Sequence, residues 1–138
     1  MGLLKVWIDK ATGLKDTDVA GKGDPYCTIT VKKGGMMGKS DVGQAKTTVK
    51  KDTTNPEWNE GPFLFSMDDI EKIHVYISIK DEDVGKDDSM GSCEVDINDL
   101  SGGPLDSTPR ALEEVVDGNI FTKDGKLFFR VGWFPDES

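Results

Sequence analysis

Short β-type runs separated by turn residues constrain this chain more than any other feature. Apolar and polar residues alternate within each run, and clusters of Gly, Pro, Asn and Asp lie between the runs. This spacing, without a sustained helical period, predicts an all-β fold, an antiparallel β-sandwich of about eight strands. The clearest runs are 3–9, 26–31, 46–51, 63–67, 73–79, 90–97 and 126–133.

Two segments lack this alternation. Residues 34–44 carry four glycines and two methionines, which predicts a long hairpin tip without structure of its own. Residues 99–112 contain Pro104 and Pro109, and we expect an irregular crossover there.

Length and charge limit the classes of function. At 138 residues the chain fits one domain, 1–138, that can bury a core of its own. Its net charge of −9 argues against nucleic acid as a partner, because phosphates would be repelled. The same charge opposes binding to an anionic membrane unless a bound cation reverses the local field.

The cysteines and the hydropathy pattern indicate a compartment. Cys27 and Cys93 are far apart in the sequence, so they suggest free thiols rather than a disulfide framework. No run is long and apolar enough for a signal peptide or a membrane span. We therefore expect a soluble, cytoplasmic protein.

Two aspartate clusters lie at the ends of predicted strands. Asp18 and Asp24 precede the run 26–31, and Asp81 and Asp83 follow the run 73–79. In a sandwich the loops gather at two ends, so such clusters can face each other. Converging carboxylates repel unless a cation joins them, and calcium accepts irregular oxygen ligands. The clusters therefore favour a calcium site, although Asp and Gly also fill ordinary exposed turns.

A combination of motifs extends along nearly the whole chain. Its residues are Leu14, Asp18, Gly21, Lys22, Gly23, Asp24, Pro25, Tyr26, Lys46, Thr47, Asn55, Pro56, Glu57, Trp58, Asn59, Glu60, Asp81, Glu82, Asp83, Asp87, Asp88 and Gly91. Together they resemble the C2 domain of protein kinase C, synaptotagmin and many lipid-metabolising enzymes.

The resemblance implies a fold, a cofactor and a partner. The fold is an eight-stranded antiparallel β-sandwich with Greek key connections, and the chain order is similar to the circularly permuted type II topology. Three loops at one end of such domains bind two or three calcium ions (Ca2+) and dock on phospholipid headgroups. In the second loop, Trp58 is expected to wall the site or, as the simpler alternative, to pack in the core.

Carried over by position, the resemblance also implies metal ligands. The identity of the fifth acidic ligand is not settled by the motif. The family's spacing after Asp83 falls on Ser89, whereas Asp88 has the family's spacing before Gly91, and Asp87 is the alternative. We favour Asp88. The expected ligands are the carboxylates of Asp18, Asp24, Asp81, Asp83 and Asp88, with the main-chain carbonyls of Thr17 and Glu82.

Lipid contacts are expected from lysines and from small apolar loop tips. Lys46, Lys50 and Lys51 resemble the basic strand patch that some C2 domains use for phosphoinositides, although a solvated strand face is the simpler interpretation. Val19 and Val84 offer little apolar surface, so we expect a mainly electrostatic contact.

The sequence thus predicts a calcium-binding module, monomeric in solution, that docks on anionic membranes containing phosphatidylserine or phosphoinositide. The alternative is a calcium-independent module that binds a protein or a phosphoinositide through the lysine-rich strand face. An enzyme is not expected, because His74 is the only histidine and no group stands beside it to form a nucleophilic site.

Overall fold

The fold is an antiparallel β-sandwich. The computed structural model describes residues 1–14, 23–83, 85–116 and 125–138, which contain eight strands and no helix. The strands are β1 (Gly2–Thr12), β2 (Pro25–Lys33), β3 (Ser40–Lys46), β4 (Glu57–Met67), β5 (Ile73–Asp81), β6 (Asp88–Asp96), β7 (Arg110–Val116) and β8 (Gly125–Phe134).

Each sheet has four strands. The first has the order β4-β1-β8-β7 and the second has the order β3-β2-β5-β6, with every neighbouring pair antiparallel. The all-β, eight-stranded sandwich expected from the sequence is confirmed. The last strand lies beside the first, as the permuted order requires, but the type II assignment itself stays a prediction.

The core lies between the two sheets and follows the strand alternation. In β1 the side chains of Leu4, Val6 and Ile8 are fully buried, because successive side chains of a strand point to opposite faces. Phe129 and Val131 of β8 face the same core. The core also includes Ile29 and Val31 of β2, Val75, Ile77 and Ile79 of β5, and Met90 and Val95 of β6.

Two strands lie where the sequence predicted irregular chain. The run 46–51 is not a strand, and β3 instead occupies Ser40–Lys46, which overlaps the expected hairpin tip. Likewise β7 begins at Arg110, within the expected crossover. Both are edge strands: β3 is mostly exposed and β7 alternates half-buried with exposed residues, so neither has the apolar alternation that marks a central strand.

Three other expectations concern Trp58, the two cysteines and membrane-spanning helices. Trp58 is buried, and its indole nitrogen donates to the carbonyl of Thr48 at 3.1 Å, so the core-packing alternative is right. Neither Cys27 nor Cys93 is in a disulfide; the first is buried and the second half-buried. Within the described ranges, no helix is long and apolar enough to cross a membrane.

A matched pair of substitutions tests the core. We expect Leu4→Ala to lower the free energy of unfolding by about 2–5 kcal/mol, because it leaves a cavity at a fully buried position. Leu64→Ala, at a 56% exposed position, should cost less than about 1 kcal/mol. Urea unfolding measures both, and equal losses would contradict this placement of the core.

Candidate functional site

Three neighbouring strands, β2, β5 and β6, have a terminus at the same end of the second sheet. Pro25, the first residue of β2, pairs with Asp81, the last residue of β5, and Asp81 pairs in turn with Asp88, the first residue of β6. Asp24 directly precedes Pro25. Antiparallel pairing therefore brings Asp24, Asp81 and Asp88 to one end of the sandwich, although 64 positions separate the first and last along the sequence.

Asp24 and Asp81 are joined by a direct hydrogen bond. The backbone amide of Asp24 donates to Oδ1 of Asp81 at 2.8 Å, and the amide of Glu82 donates to the carbonyl of Asp24 at 3.0 Å. The Asp81 side chain is buried, with 1% of the residue exposed. Because a buried carboxylate is costly without partners, this amide helps to hold Asp81 in place.

Gly23 allows this close approach. A Cβ at this position would lie 3.1 Å from Cγ of Asp81 and 2.9 Å from Cε of Met90. Both distances are tighter than ordinary van der Waals contacts, so a larger residue would displace the carboxylate or the methionine. The glycine therefore lets the chain just before β2 lie against the end of β5.

The second loop, residues 47–56, is bonded to the first. The amide of Asp52 donates to Oδ1 of Asp24 at 2.7 Å, and the amide of Thr53 donates to the carbonyl of Gly23 at 2.9 Å. On the other side, Oδ1 of Asn55 accepts from the amide of Gly13 at 2.9 Å. These bonds fix the position of the Asp24 carboxylate relative to the second loop.

Lys51 of the second loop brings a cation to the acidic residues. Its Nζ lies 3.3 Å from Oε1 of Glu82 and 3.8 Å from Oδ2 of Asp24. Glu82 belongs to the third loop, residues 82–87, so one ammonium group contacts carboxylates of two loops. The ammonium shows that this group of oxygens attracts a positive charge.

Asp87 is held by two donors. The hydroxyl of Tyr26 donates to Oδ2 of Asp87, and the amide of Asp83 donates to Oδ1 at 3.1 Å. The hydrogen bond from Tyr26 is the main reason that the pKa of Asp87 lies below its usual value, and the same bond raises the pKa of Tyr26 to about 12. Asp87 thus fastens the third loop to β2.

The predicted metal ligands are only partly described. Asp24, Asp81 and Asp88 come together at the strand ends, and Glu82 and Asp83 follow in the third loop. Thr17 and Asp18, and also Val19 and Val84, lie outside the described residues. Among residues 1–14, 23–83, 85–116 and 125–138, no three acidic, histidine or cysteine side chains are grouped closely enough to hold a metal ion.

The residues fit a hard cation in their chemistry. All the described candidates offer carboxylate or carbonyl oxygens, the ligands that calcium prefers. The ammonium of Lys51 already stands as a cation beside two of these side chains. Asp24, Asp81, Asp83, Asp88 and the carbonyl of Glu82 are therefore the described residues that could hold such an ion.

The expected lysine-rich strand face needs a correction. Only Lys46 lies on a strand, whereas Lys50 and Lys51 belong to the second loop, because β3 ends at Lys46. The strand face instead brings Lys46 near Lys80 of β5, and a shallow depression lies beside them. It is lined by Tyr26, Thr28, Gln44, Ala45, Lys46 and Lys80.

Several contacts could not be identified from the sequence. The bond from Asp52 to Asp24 and the ion pairs of Lys51 have no signature in the sequence, because the second loop meets the other loops only in the folded chain. Tyr26 follows Asp24 and Pro25 directly, but nothing in that motif indicates a bond to Asp87, 61 positions away. Lys80 alternates with buried residues of β5, which does indicate an outward side chain.

Comparison with protein families gives a match over most of the chain. The family model of the C2 domain matches residues 2–112. Human synaptotagmin-1 is 38% identical over 99 residues, which make up 70% of this chain and 22% of that protein. Synaptotagmin-B of Diplobatis ommata is 39% identical over the same length and share of each chain. The chain thus spans less than a quarter of these relatives.

Solved structures give the same relationship. C2 domain A of a plant extended synaptotagmin 1 superposes with a TM-score of 0.81 and 27% identity, covering 99% of this chain and 97% of that one. The calcium-bound pair of C2 domains, A and B, of extended synaptotagmin 2 superposes with a TM-score of 0.67 and 26% identity, covering 96% of this chain and 45% of that one.

The bond between Tyr26 and Asp87 predicts an unusual tyrosine titration. In the calcium-free protein we expect a tyrosinate absorbance phase with a midpoint near 12, absent from Tyr26→Phe. Because the folded pKa exceeds the unfolded value of 10.0, the bond stabilises the fold fully below pH 10.0 and is lost as the pH rises through 12.

Asp87→Asn serves as the partner control, since it removes the negative charge that Tyr26 faces. It should move the high-pH phase back toward 10.0. If the wild-type protein showed no tyrosinate phase near 12, the contact would be absent in solution.

Proposed function

Because this chain belongs to the C2 domain family, we propose that it is a calcium-binding module that docks on anionic phospholipid membranes when calcium is bound. The observation that carries the proposal is the bond from the Asp24 amide to the buried Asp81 carboxylate. It joins the acidic residue just before β2 to the acidic residue that ends β5, at one end of the sandwich. The related structure of extended synaptotagmin 2 is calcium-bound, which is a second support.

In this proposal the ligands are those implied by the family motif. Asp88 is favoured over Asp87 because the carboxylate of Asp87 already accepts from Tyr26 and Asp83. About two or three ions would fit the number of acidic residues. The complete set is Asp18, Asp24, Asp81, Asp83 and Asp88, with the main-chain carbonyls of Thr17 and Glu82.

The mechanism is an electrostatic switch. Without metal, the acidic loops of a chain with net charge −9 repel anionic headgroups. Bound calcium would supply positive charge and open coordination positions for lipid oxygens. Val19 and Val84 add little apolar surface, so Lys46, Lys50 and Lys51 would give the remaining attraction. The module would thus move from the cytoplasm to a membrane as calcium rises, without catalysing a reaction.

A second candidate is calcium-independent binding of an anionic ligand, such as a phosphoinositide headgroup. The depression beside Lys46 and Lys80 on the outer face of β2, β3 and β5 favours it. Lysine ammonium groups bind phosphate as point charges. This candidate does not need the aspartates of the loops, so acid substitutions separate it from the first.

Calcium titration by calorimetry tests the metal site. We expect the wild-type chain to bind calcium and Asp83→Asn to weaken the affinity at least about tenfold, because a ligand charge is lost. Asp41→Asn, an exposed residue of β3, makes the same change of net charge and should leave the affinity within about twofold. If neither the wild type nor Asp41→Asn gives a binding isotherm of either sign of heat, the calcium proposal is wrong.

Sedimentation with phosphatidylserine vesicles tests the membrane step. We expect wild-type protein to pellet with calcium and to stay in the supernatant with a chelator, and we expect Asp83→Asn to stay there in both. Raising the salt from about 0.1 M to 1 M should release most of the bound protein, because the screening length falls from about 10 to 3 Å. Calcium-independent pelleting with phosphoinositide vesicles, unchanged in Asp83→Asn and lost in Lys46→Gln, would favour the second candidate.

A further inference from the structure

Lys51 occupies a position that no motif of the chain explains. Its ammonium lies between Asp24 at 3.8 Å and Glu82 at 3.3 Å, and its side chain is 70% exposed. Asp24 ends the first loop, Glu82 begins the third loop, and Lys51 lies in the second. One positive charge therefore contacts carboxylates from both sides of the candidate metal site.

The backbone on both sides of Lys51 keeps it there. The amide of Lys50 donates to the carbonyl of Pro25 at 2.9 Å, and the amide of Asp52 donates to Oδ1 of Asp24 at 2.7 Å. These bonds fix the chain immediately before and after Lys51. The side chain consequently needs little ordering of the loop to reach the acidic residues.

We propose that Lys51 is an internal counter-ion of the candidate calcium site, present between the loops without metal and displaced when calcium binds. This role rests on the proposed function above. The Asp24 oxygen that faces Lys51 is Oδ2, while Oδ1 accepts from the Asp52 amide, so the ammonium would compete with calcium for Oδ2. A calcium ion bound to that oxygen would repel the ammonium across a few ångströms.

Displacement gives Lys51 a second use. Once displaced from Asp24 and Glu82, an exposed ammonium at the loop end can contact anionic headgroups. Lys51 therefore weakens calcium binding in solution and strengthens membrane contact after calcium binds. Anionic lipid raises calcium affinity by some factor, and by thermodynamic linkage Lys51 makes that factor larger.

The sequence offers a close control. Lys50 makes no ion pair with a carboxylate in the described part of the chain, and Lys50→Gln removes the same charge one position away. A general field effect would act on Lys50→Gln and Lys51→Gln alike. A counter-ion effect would act on Lys51→Gln alone, and Lys51→Arg would restore it because the charge remains.

Calorimetric calcium titrations of the full chain without lipid decide the matter. We expect Lys51→Gln to bind calcium about two- to fivefold more tightly than Lys50→Gln, the range of exposed ion pairs. Lys51→Arg should match the wild type. With phosphatidylserine vesicles present, the gain in calcium affinity should be smaller for Lys51→Gln than for the wild type.

The two proposals fail in different ways. Wild-type protein that binds calcium, with equal affinities for Lys50→Gln and Lys51→Gln, overturns the counter-ion role and leaves the proposed function standing. Wild-type protein that binds no calcium overturns both. As a direct readout, the NMR signal of 13C-dimethylated Lys51, identified by its absence in Lys51→Arg, should shift on calcium addition; an unmoved signal overturns the displacement.

Discussion

The hydrogen bond from the Asp24 amide to the buried carboxylate of Asp81 is the contact on which the acidic end of the sandwich depends. A carboxylate that is 1% exposed needs partners, and this amide is supplied by the residue immediately before β2. The pairing of Pro25 with Asp81 sets the distance between them. The register of two central strands thus determines where the acidic residues of two loops meet.

The acidic end of the sandwich must also limit repulsion among its own carboxylates. It does so with donors from the chain: the amides of Asp52 and Asp83, the hydroxyl of Tyr26 and the ammonium of Lys51. Each donor belongs to a different position in the sequence and reaches the acids only in the folded state. These contacts hold the carboxylates of Asp24 and Asp87 in place before any metal is considered, although among the described residues no three acidic, histidine or cysteine side chains are close enough to hold an ion.

The sequence predicted the sandwich and the central strands because β1, β2 and β5 alternate buried and outward residues. The prediction from the sequence misplaced β3, whose exposed residues carry no such pattern. It also assigned 46–51 to a strand, whereas the Thr47 hydroxyl donates to the carbonyl of Thr48 and accepts from the amide of Cys27, 20 positions earlier. Aspartate positions at strand ends could be predicted from local motifs. Contacts such as Lys51 with Glu82 could not, because they depend on how three loops come together.

The choice between Asp87 and Asp88 illustrates how a local hydrogen bond can decide a role that spacing leaves open. For Asp87 to act as a ligand with either oxygen, the bond from Tyr26 or the bond from the Asp83 amide would have to be shared or broken. Asp88 lies opposite Asp81 across β5 and β6, where directly paired side chains have Cβ atoms about 5 Å apart. In the proposed site Asp87 would therefore position the third loop, and Asp88 would be the acid that shares an ion with Asp81.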